Sequence, residues 1–172
     1  MVKYIKNFIL EFVCFGVPMG LFWTVMFNGV ERGIVLGIAG GLLFAIMLTG
    51  FTVYEEYRLR EIVKSKFASE NILYADGANL ITEYEALGGY LVLLKDRLYF
   101  ISHNINLCMR TTECTITLEE VYDIGKARKA RSIYINKKNF ETIVFVVNNN
   151  KKWIKLLEDQ LKQYKLRKRT KG

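Results

Sequence analysis

The chain has 172 residues, 51% of them apolar, which is enough for about one domain with additional segments. Its formal net charge of +8 is concentrated in residues 151–172, where nine basic and two acidic side chains give +7. The basic character therefore belongs to the C-terminal end, and a basic domain that binds nucleic acid is not indicated.

Two long apolar runs near the N-terminus predict a transmembrane helix hairpin. The first, residues 8–27, contains one charged side chain, Glu11, and the second, residues 33–53, contains none. At a rise of about 1.5 Å per residue, either run can cross a hydrocarbon core of about 30 Å as a helix. Residues 28–32 alone separate the runs, so the helices are expected to be antiparallel neighbours. The second span favours a hairpin over a cleaved signal peptide, and the role of Glu11 stays open.

Basic residues near the ends of the spans predict the orientation of the hairpin. Lys3 and Lys6 precede the first span, whereas the connecting loop carries Arg32 as its single basic residue. The second span is followed by Arg58, Arg60, Lys64 and Lys66. The chain is therefore expected to be an integral protein of the inner or plasma membrane, with both termini and everything after residue 53 in the cytoplasm.

Small residues recur at intervals of four in the second span, at Gly33, Gly37 and Gly41, with Gly40 beside them. Such a stripe allows another helix to approach closely. One interpretation is that it packs against the first span, where Gly16 and Gly20 present a matching face. The other is self-association, or docking to another membrane protein.

Residues 54–69 are predicted to form a helical juxtamembrane linker. Its apolar residues recur at helical spacing, at Leu59, Ile62, Val63 and Phe67. Contact with anionic headgroups and a solvated helix are both consistent with this pattern.

From residue 70 onward the hydrophobic period changes from helical to two, which predicts half-buried antiparallel strands. Cys114, Ile116 and Leu118, for example, share one face. Turn signals such as Asp76-Gly77 and Lys95-Asp96 separate the runs. About seven short strands imply a β-sandwich or partly open barrel. A final amphipathic helix that starts near Trp153 is expected to cap it.

Five segments between residues 70 and 161 resemble the GRAM domain, a relative of the pleckstrin-homology (PH) fold, and especially its bacterial members. They are DGANL at 76–80, EALGGYL at 85–91, DRLYFISHNIN at 96–106, TLEEVYDI at 117–124 and FVVNNNKKWIKLL at 145–157. The resemblance implies a PH-like domain over residues 70–166, with a basic tail at 167–172. It also implies binding of membrane lipids, including phosphoinositides, or of protein partners.

The cationic residues lie outside the turn that such lipid-binding relatives use. In those relatives, basic side chains surround the first strand-turn-strand, whereas the corresponding turn here is interpreted as residues 75–78 and contains Asp76. Lipid or partner binding is therefore predicted for two other segments, a loop and the C-terminal tail. Their basic residues are Lys126, Arg128, Lys129, Arg131, Lys162, Lys165, Arg167, Lys168 and Arg169. A solvated surface is the alternative for the loop, and attraction to an anionic leaflet is favoured for the tail.

Few residues are suited to catalysis. His103 is the single histidine, and its pairing with Cys108, five residues later, is the one candidate for a nucleophile and its base. HExxH and phosphate-cradling glycine motifs are absent. Three cysteines without CxxC spacing argue against a disulfide framework or zinc site, and a pairing of Cys108 with Cys114 stays open. We therefore expect neither enzymatic activity nor a cofactor or metal.

Two functional hypotheses follow. In the first, the chain is a non-enzymatic, membrane-anchored binding module whose cytoplasmic GRAM-like domain binds lipid or a protein at the inner leaflet. In the alternative, it is an accessory or assembly subunit of a larger membrane complex, docked through the glycine-striped helix and the GRAM-like domain. Self-association through the hairpin is compatible with both, and no nucleic-acid partner is expected.

Overall fold

A computed structural model of the chain describes residues 2–27, 29–103, 112–128 and 131–169. In chain order its elements are α1 (Val2–Met26), α2 (Val30–Lys66), β1 (Tyr74–Ile81), β2 (Ala86–Leu93), β3 (Arg97–Ser102), β4 (Glu113–Thr117), β5 (Val121–Lys126), β6 (Ser132–Lys137), β7 (Thr142–Val147) and α3 (Asn150–Arg169). The chain divides into two compact units, Met1–Glu55 and Glu56–Gly172, and the boundary falls inside α2.

The first unit contains α1 and the apolar part of α2. Both helices are long and apolar enough to cross a membrane. Their small faces meet directly, since a Cβ placed on Gly37 would lie 2.7 Å from the Gly16 carbonyl oxygen and 2.8 Å from the Gly20 Cα. The hydroxyl of Thr49 donates a hydrogen bond of 2.8 Å to Glu11, so the one charged group of the first span has a partner within the hairpin.

The second unit is built on a seven-stranded antiparallel sheet in the order β4-β3-β2-β1-β7-β6-β5. The sheet encloses one apolar core, to which all seven strands and α3 contribute. Trp153 and Leu157 of α3 are fully buried in it, and the Trp153 ring meets Tyr74 edge-on at 4.8 Å. The predicted PH-like class, seven strands capped by a C-terminal helix, is confirmed.

A second apolar cluster covers the outer face of β2 and β3. Leu59, Val63 and Phe67 at the end of α2 pack there with outward-facing strand residues such as Val92 and Ile101. Both faces of β2 are therefore buried, which explains its nearly unbroken apolar sequence.

The prediction of a turn at Asp76-Gly77 is wrong. Both residues lie inside β1, where Asp76 pairs with Leu91 and Gly77 with Tyr90, and residues 82–85 connect β1 to β2. The Asp76 carboxylate accepts hydrogen bonds from the Gly77 amide at 2.8 Å and from the Asn148 side chain at 3.1 Å. Strand pairing on the β2 side, together with these bonds, overrides the local turn preference of an Asp-Gly pair.

The last turns of α2 and the residues after them cross the outer face of β2 and β3 toward the β2–β3 turn. The Arg60 guanidinium lies 6.0 Å from the Tyr90 ring centre, and the Phe67 and Tyr99 rings are 5.0 Å apart. Further along, the Arg97 guanidinium forms an ion pair with Glu70 at 2.6 Å. We call the end of the domain with the β2–β3 turn, residues 94–96, the distal end. Because Tyr74 at the start of β1 pairs with Leu93, α2 ends and β1 begins at the distal end.

Candidate partner-binding surface

Helix α3 lies at the distal end. Near its start, Trp153 contacts Tyr74, the first residue of β1. Two turns later, the Gln160 side chain donates a hydrogen bond of 2.7 Å to the carbonyl oxygen of Lys95 in the β2–β3 turn. These contacts fix the helix, and they determine where its basic side chains lie.

The basic β5–β6 loop lies beside the start of α3. Lys126 ends β5, and Arg131 accepts a hydrogen bond of 2.9 Å from Val147, three residues before α3 begins. Lys126, Arg128 and Arg131 are exposed, and none forms an ion pair with any residue in the described ranges. Arg131 has a left-handed backbone with a φ of 63°. Lys129 lies outside the described residues.

The basic residues of the tail lie at the other end of α3. Lys162 and Lys165 are exposed, and Arg167 donates to the Gln163 side chain at 3.1 Å. Lys168 and Arg169 belong to the last turn of the helix. Asn150 and Arg167 are 17 positions apart, which corresponds to about 25 Å of helix. The structure therefore does not bring the loop and the tail together.

The β1–β2 turn is acidic, as expected, although through different residues. Glu83 and Glu85 flank Tyr84, whose side chain is 90% exposed, and the turn is closed by a 2.9 Å bond from the Thr82 amide to the Glu85 carbonyl. Residues 82–85 contain no basic side chain. This turn therefore offers no cation for a phosphate group of the kind that phosphoinositide-binding relatives are expected to bind here.

A cleft of about 410 Å³ opens between the last turns of α3, the β4–β5 corner and the β6–β7 turn. Its lining residues are Leu118, Glu119, Val121, Tyr122, Lys138, Tyr164 and Lys165. Of these, only Lys165 was predicted as a binding residue. Tyr122 and Lys138 carry no sequence signal, since the segments that form the cleft are far apart in the chain.

Three side chains were candidates for catalysis or reactive thiol chemistry: His103, Cys108 and Cys114. The His103 amide donates to Gly88 at 2.8 Å, and Cys108 lies outside the described residues. Burial raises the pKa of Cys114, which makes its thiolate form scarce. On the outer face, the Lys66 ammonium lowers the pKa of Glu113 by hydrogen bonding, and the pKa of Lys66 is raised in return.

The glycines predicted for helix packing lie in the hairpin. Gly33, Gly37 and Gly41 face α1, and the space beside Gly40 is filled by Met19, whose atoms would be 3.5 Å from a Cβ there.

No protein-family model matches the chain, and no curated protein matches it. Among solved structures, the C-terminal domain of an unknown protein from Leishmania infantum has a TM-score of 0.51 at 18% identity, over 59% of this chain and 96% of that one. At this identity the likeness concerns the fold alone.

Two further structures carry PH domains in their descriptions. The DH/PH fragment of PDZRHOGEF in complex with human RhoA has a TM-score of 0.47 at 14% identity, over 78% of this chain and 46% of that one. This chain thus spans less than half the length of that match. The Slm1-PH domain in complex with inositol-4-phosphate has a TM-score of 0.41 at 14% identity, over 52% of this chain and 97% of that one.

Proposed function

We propose that the chain is a non-enzymatic docking module: a transmembrane hairpin, with both termini in the cytoplasm, carries a PH-like domain of the GRAM type that binds an acidic protein partner. The observation that carries the proposal is the set of exposed cations at both ends of α3. Lys126, Arg128, Arg131, Lys162 and Lys165 have no ion-pair partner within the described part of the chain. Unpaired charges of one sign steer and orient a partner of the opposite sign.

One feature favours a protein over an anionic lipid surface. The β1–β2 turn, at the position where phosphoinositide-binding relatives are expected to carry cations, carries Glu83 and Glu85 and no basic side chain. Anionic headgroups are nevertheless the natural competitor for such side chains, since each basic residue near a charged leaflet contributes about 1 kcal/mol. The test therefore includes both.

The experiment uses the full chain in phosphatidylcholine nanodiscs, with fluorescent polyglutamate as the acidic probe. We expect saturable binding that weakens as salt shortens the Debye length from about 8 Å to about 3 Å. Replacing Lys126, Arg128 and Arg131 with glutamine removes three charges and should weaken binding on the order of tenfold, since exposed pairs contribute about 0.2–1 kcal/mol each. Deleting residues 165–172 should weaken it as well.

Lys64→Gln is the matched control, because Lys64 is exposed on α2 and pairs with Glu61 at 2.8 Å. It should leave polyglutamate binding unchanged. If phosphatidylserine vesicles bind the chain through the same residues and polyglutamate does not bind, the partner is an anionic lipid and not a protein. If every variant still binds polyglutamate and phosphatidylserine vesicles as tightly as the unaltered chain does, the cationic surface has no part in the function.

One observation favours the accessory-subunit alternative. A groove of about 490 Å³ follows the hairpin and is lined by apolar residues and by Gly16, Gly20, Gly33 and Gly37. A partner helix seated there would co-purify in fixed ratio with the hairpin, and Val17→Trp, at a lining residue that is 55% exposed, should release it. Co-purification that depends only on residues 56–172 would exclude this role for the groove.

A further inference from the structure

The cleft at the end of α3 combines two basic side chains with an apolar floor. Lys138 comes from the β6–β7 turn and Lys165 from α3, so they approach from different walls. Neither ammonium has an ion-pair partner among the residues described. Glu119, the one carboxylate of the lining, accepts a hydrogen bond from the Tyr164 hydroxyl at 3.5 Å and keeps its negative charge. Two ammonium groups and one carboxylate still leave the lining with a net positive charge.

The rest of the lining is apolar or aromatic. Leu118 and Val121 are buried at 1% and 2% exposure and belong to the core, so their edges form the floor. Tyr122 exposes 74% of its surface although it flanks this floor, and Tyr164 is half-buried against the core. Tyrosines of this kind present large contact area with little loss of side-chain entropy, as they do at protein interfaces.

The walls are held by backbone hydrogen bonds. The Lys138 amide donates to Glu120 at 2.8 Å, and the Leu118 amide donates to Asp96 at 2.8 Å. The bond from Gln160 to Lys95 fixes α3 on the other side. A cleft fixed in this way needs little reordering on binding, and its volume of about 410 Å³ is in the range of small ligand sites.

We infer that this cleft is the specificity pocket for the partner: it takes an acidic side chain next to an apolar one, presented by an acidic protein. The carboxylate lies between Lys138 and Lys165, and the apolar side chain lies over Leu118 and Val121 between the two tyrosines. The inference rests on the proposed function and deepens it, because it locates recognition in one pocket while the cations near the β5–β6 loop supply general attraction.

The test uses a fluorescein-labelled hexapeptide of alternating glutamate and leucine, with the glutamine–leucine peptide as its neutral counterpart. Binding to the full chain in phosphatidylcholine nanodiscs is followed by anisotropy. Lys138→Gln and Lys165→Gln should each weaken binding about three- to fivefold, as expected for exposed charge pairs. Tyr122→Ala should weaken it about fivefold or more, as loss of an aromatic anchor does. The neutral peptide should bind about tenfold more weakly.

Lys155→Gln is the control, since Lys155 is exposed on the same helix and does not line the cleft. It should leave the affinity unchanged. Failure of the acidic peptide to bind the unaltered chain, or equal binding of both peptides, would overturn the pocket. The pocket would also be overturned if polyglutamate binding depended on the loop cations while the three cleft variants had no effect on peptide binding, and in that case the docking function would still hold. If the unaltered chain did not bind polyglutamate at all, the docking function itself would be overturned.

Discussion

At Gly89 of β2, strand β3 leaves no room for a side chain. A Cβ at this position would lie 2.2 Å from the Ile101 carbonyl oxygen and 2.7 Å from the Phe100 ring, whereas one at Gly88 would lie 3.3 Å from His103. The contact at Gly89 is with backbone, which cannot rotate away. The second glycine of the EALGGYL segment is therefore the one that the sheet requires.

We predict that Gly89→Ala lowers the free energy of unfolding by about 3 kcal/mol, the upper part of the range for overpacked sites. Denaturation of the full chain, followed by Trp153 fluorescence in a Trp23→Phe background, measures this. Gly77→Ala is the control, because its Cβ would have no atom closer than 3.9 Å. An equal effect of both substitutions would show that strand propensity, and not the Ile101 contact, sets the cost.

Asp76 shows the limit of prediction at this scale. An Asp-Gly pair has strong turn chemistry, and the sequence contains no sign that Asn148, 72 residues later, supplies a partner for the carboxylate. The acidic character of the β1–β2 turn could be anticipated from composition, but its position at residues 82–85 could not.

The end of α2 is part of the second unit and not a free linker. Leu59, Val63 and Phe67 are at most 6% exposed and cover β2 and β3. The signal for this contact was present in the sequence. YLVLL and LYFI are unbroken apolar runs, which are typical of strands buried on both faces, while the later strands alternate. The helical spacing of the linker provided the matching stripe.

We predict that a fragment of residues 56–169 is more stable than one of residues 70–169. Burying three large apolar side chains contributes about 1.5–3 kcal/mol each, so the difference should be on the order of 5 kcal/mol. Urea denaturation of both fragments, with binding of a hydrophobic dye as a second readout, measures it. Coincident denaturation curves and equal dye binding would mean that α2 adds nothing to the domain.

At the scale of the whole molecule, element types were more predictable than their spatial relations. Apolar length predicted the two long helices, and alternation predicted the strands. The separation of the loop cations from the tail cations was not predictable, because it depends on how α3 lies at the distal end. The cleft was hidden for the same reason: its walls come from the β4–β5 corner, the β6–β7 turn and α3.

The orientation of the hairpin can be tested on intact cells. The basic residues that flank it predict that residues 28–32 face away from the cytoplasm. A cysteine at Val30, which is 65% exposed, should therefore react with an impermeant thiol reagent from outside. The chain with its natural cysteines is the control and should stay unlabelled. Labelling that requires permeabilisation would reverse the orientation.

The pairing of β1 with β7 has a consequence for synthesis of the chain. β1 pairs with β2 along its whole length, but its other edge, residues 78–81, pairs with residues 144–147. At about 5–20 residues per second, a ribosome needs several seconds to make the chain between them. During that time β1 presents a row of unpaired backbone groups that can template wrong pairing. A chain that stops before Thr142 therefore does not merely lack its last strand and helix, since it keeps an open edge in the middle of the sheet.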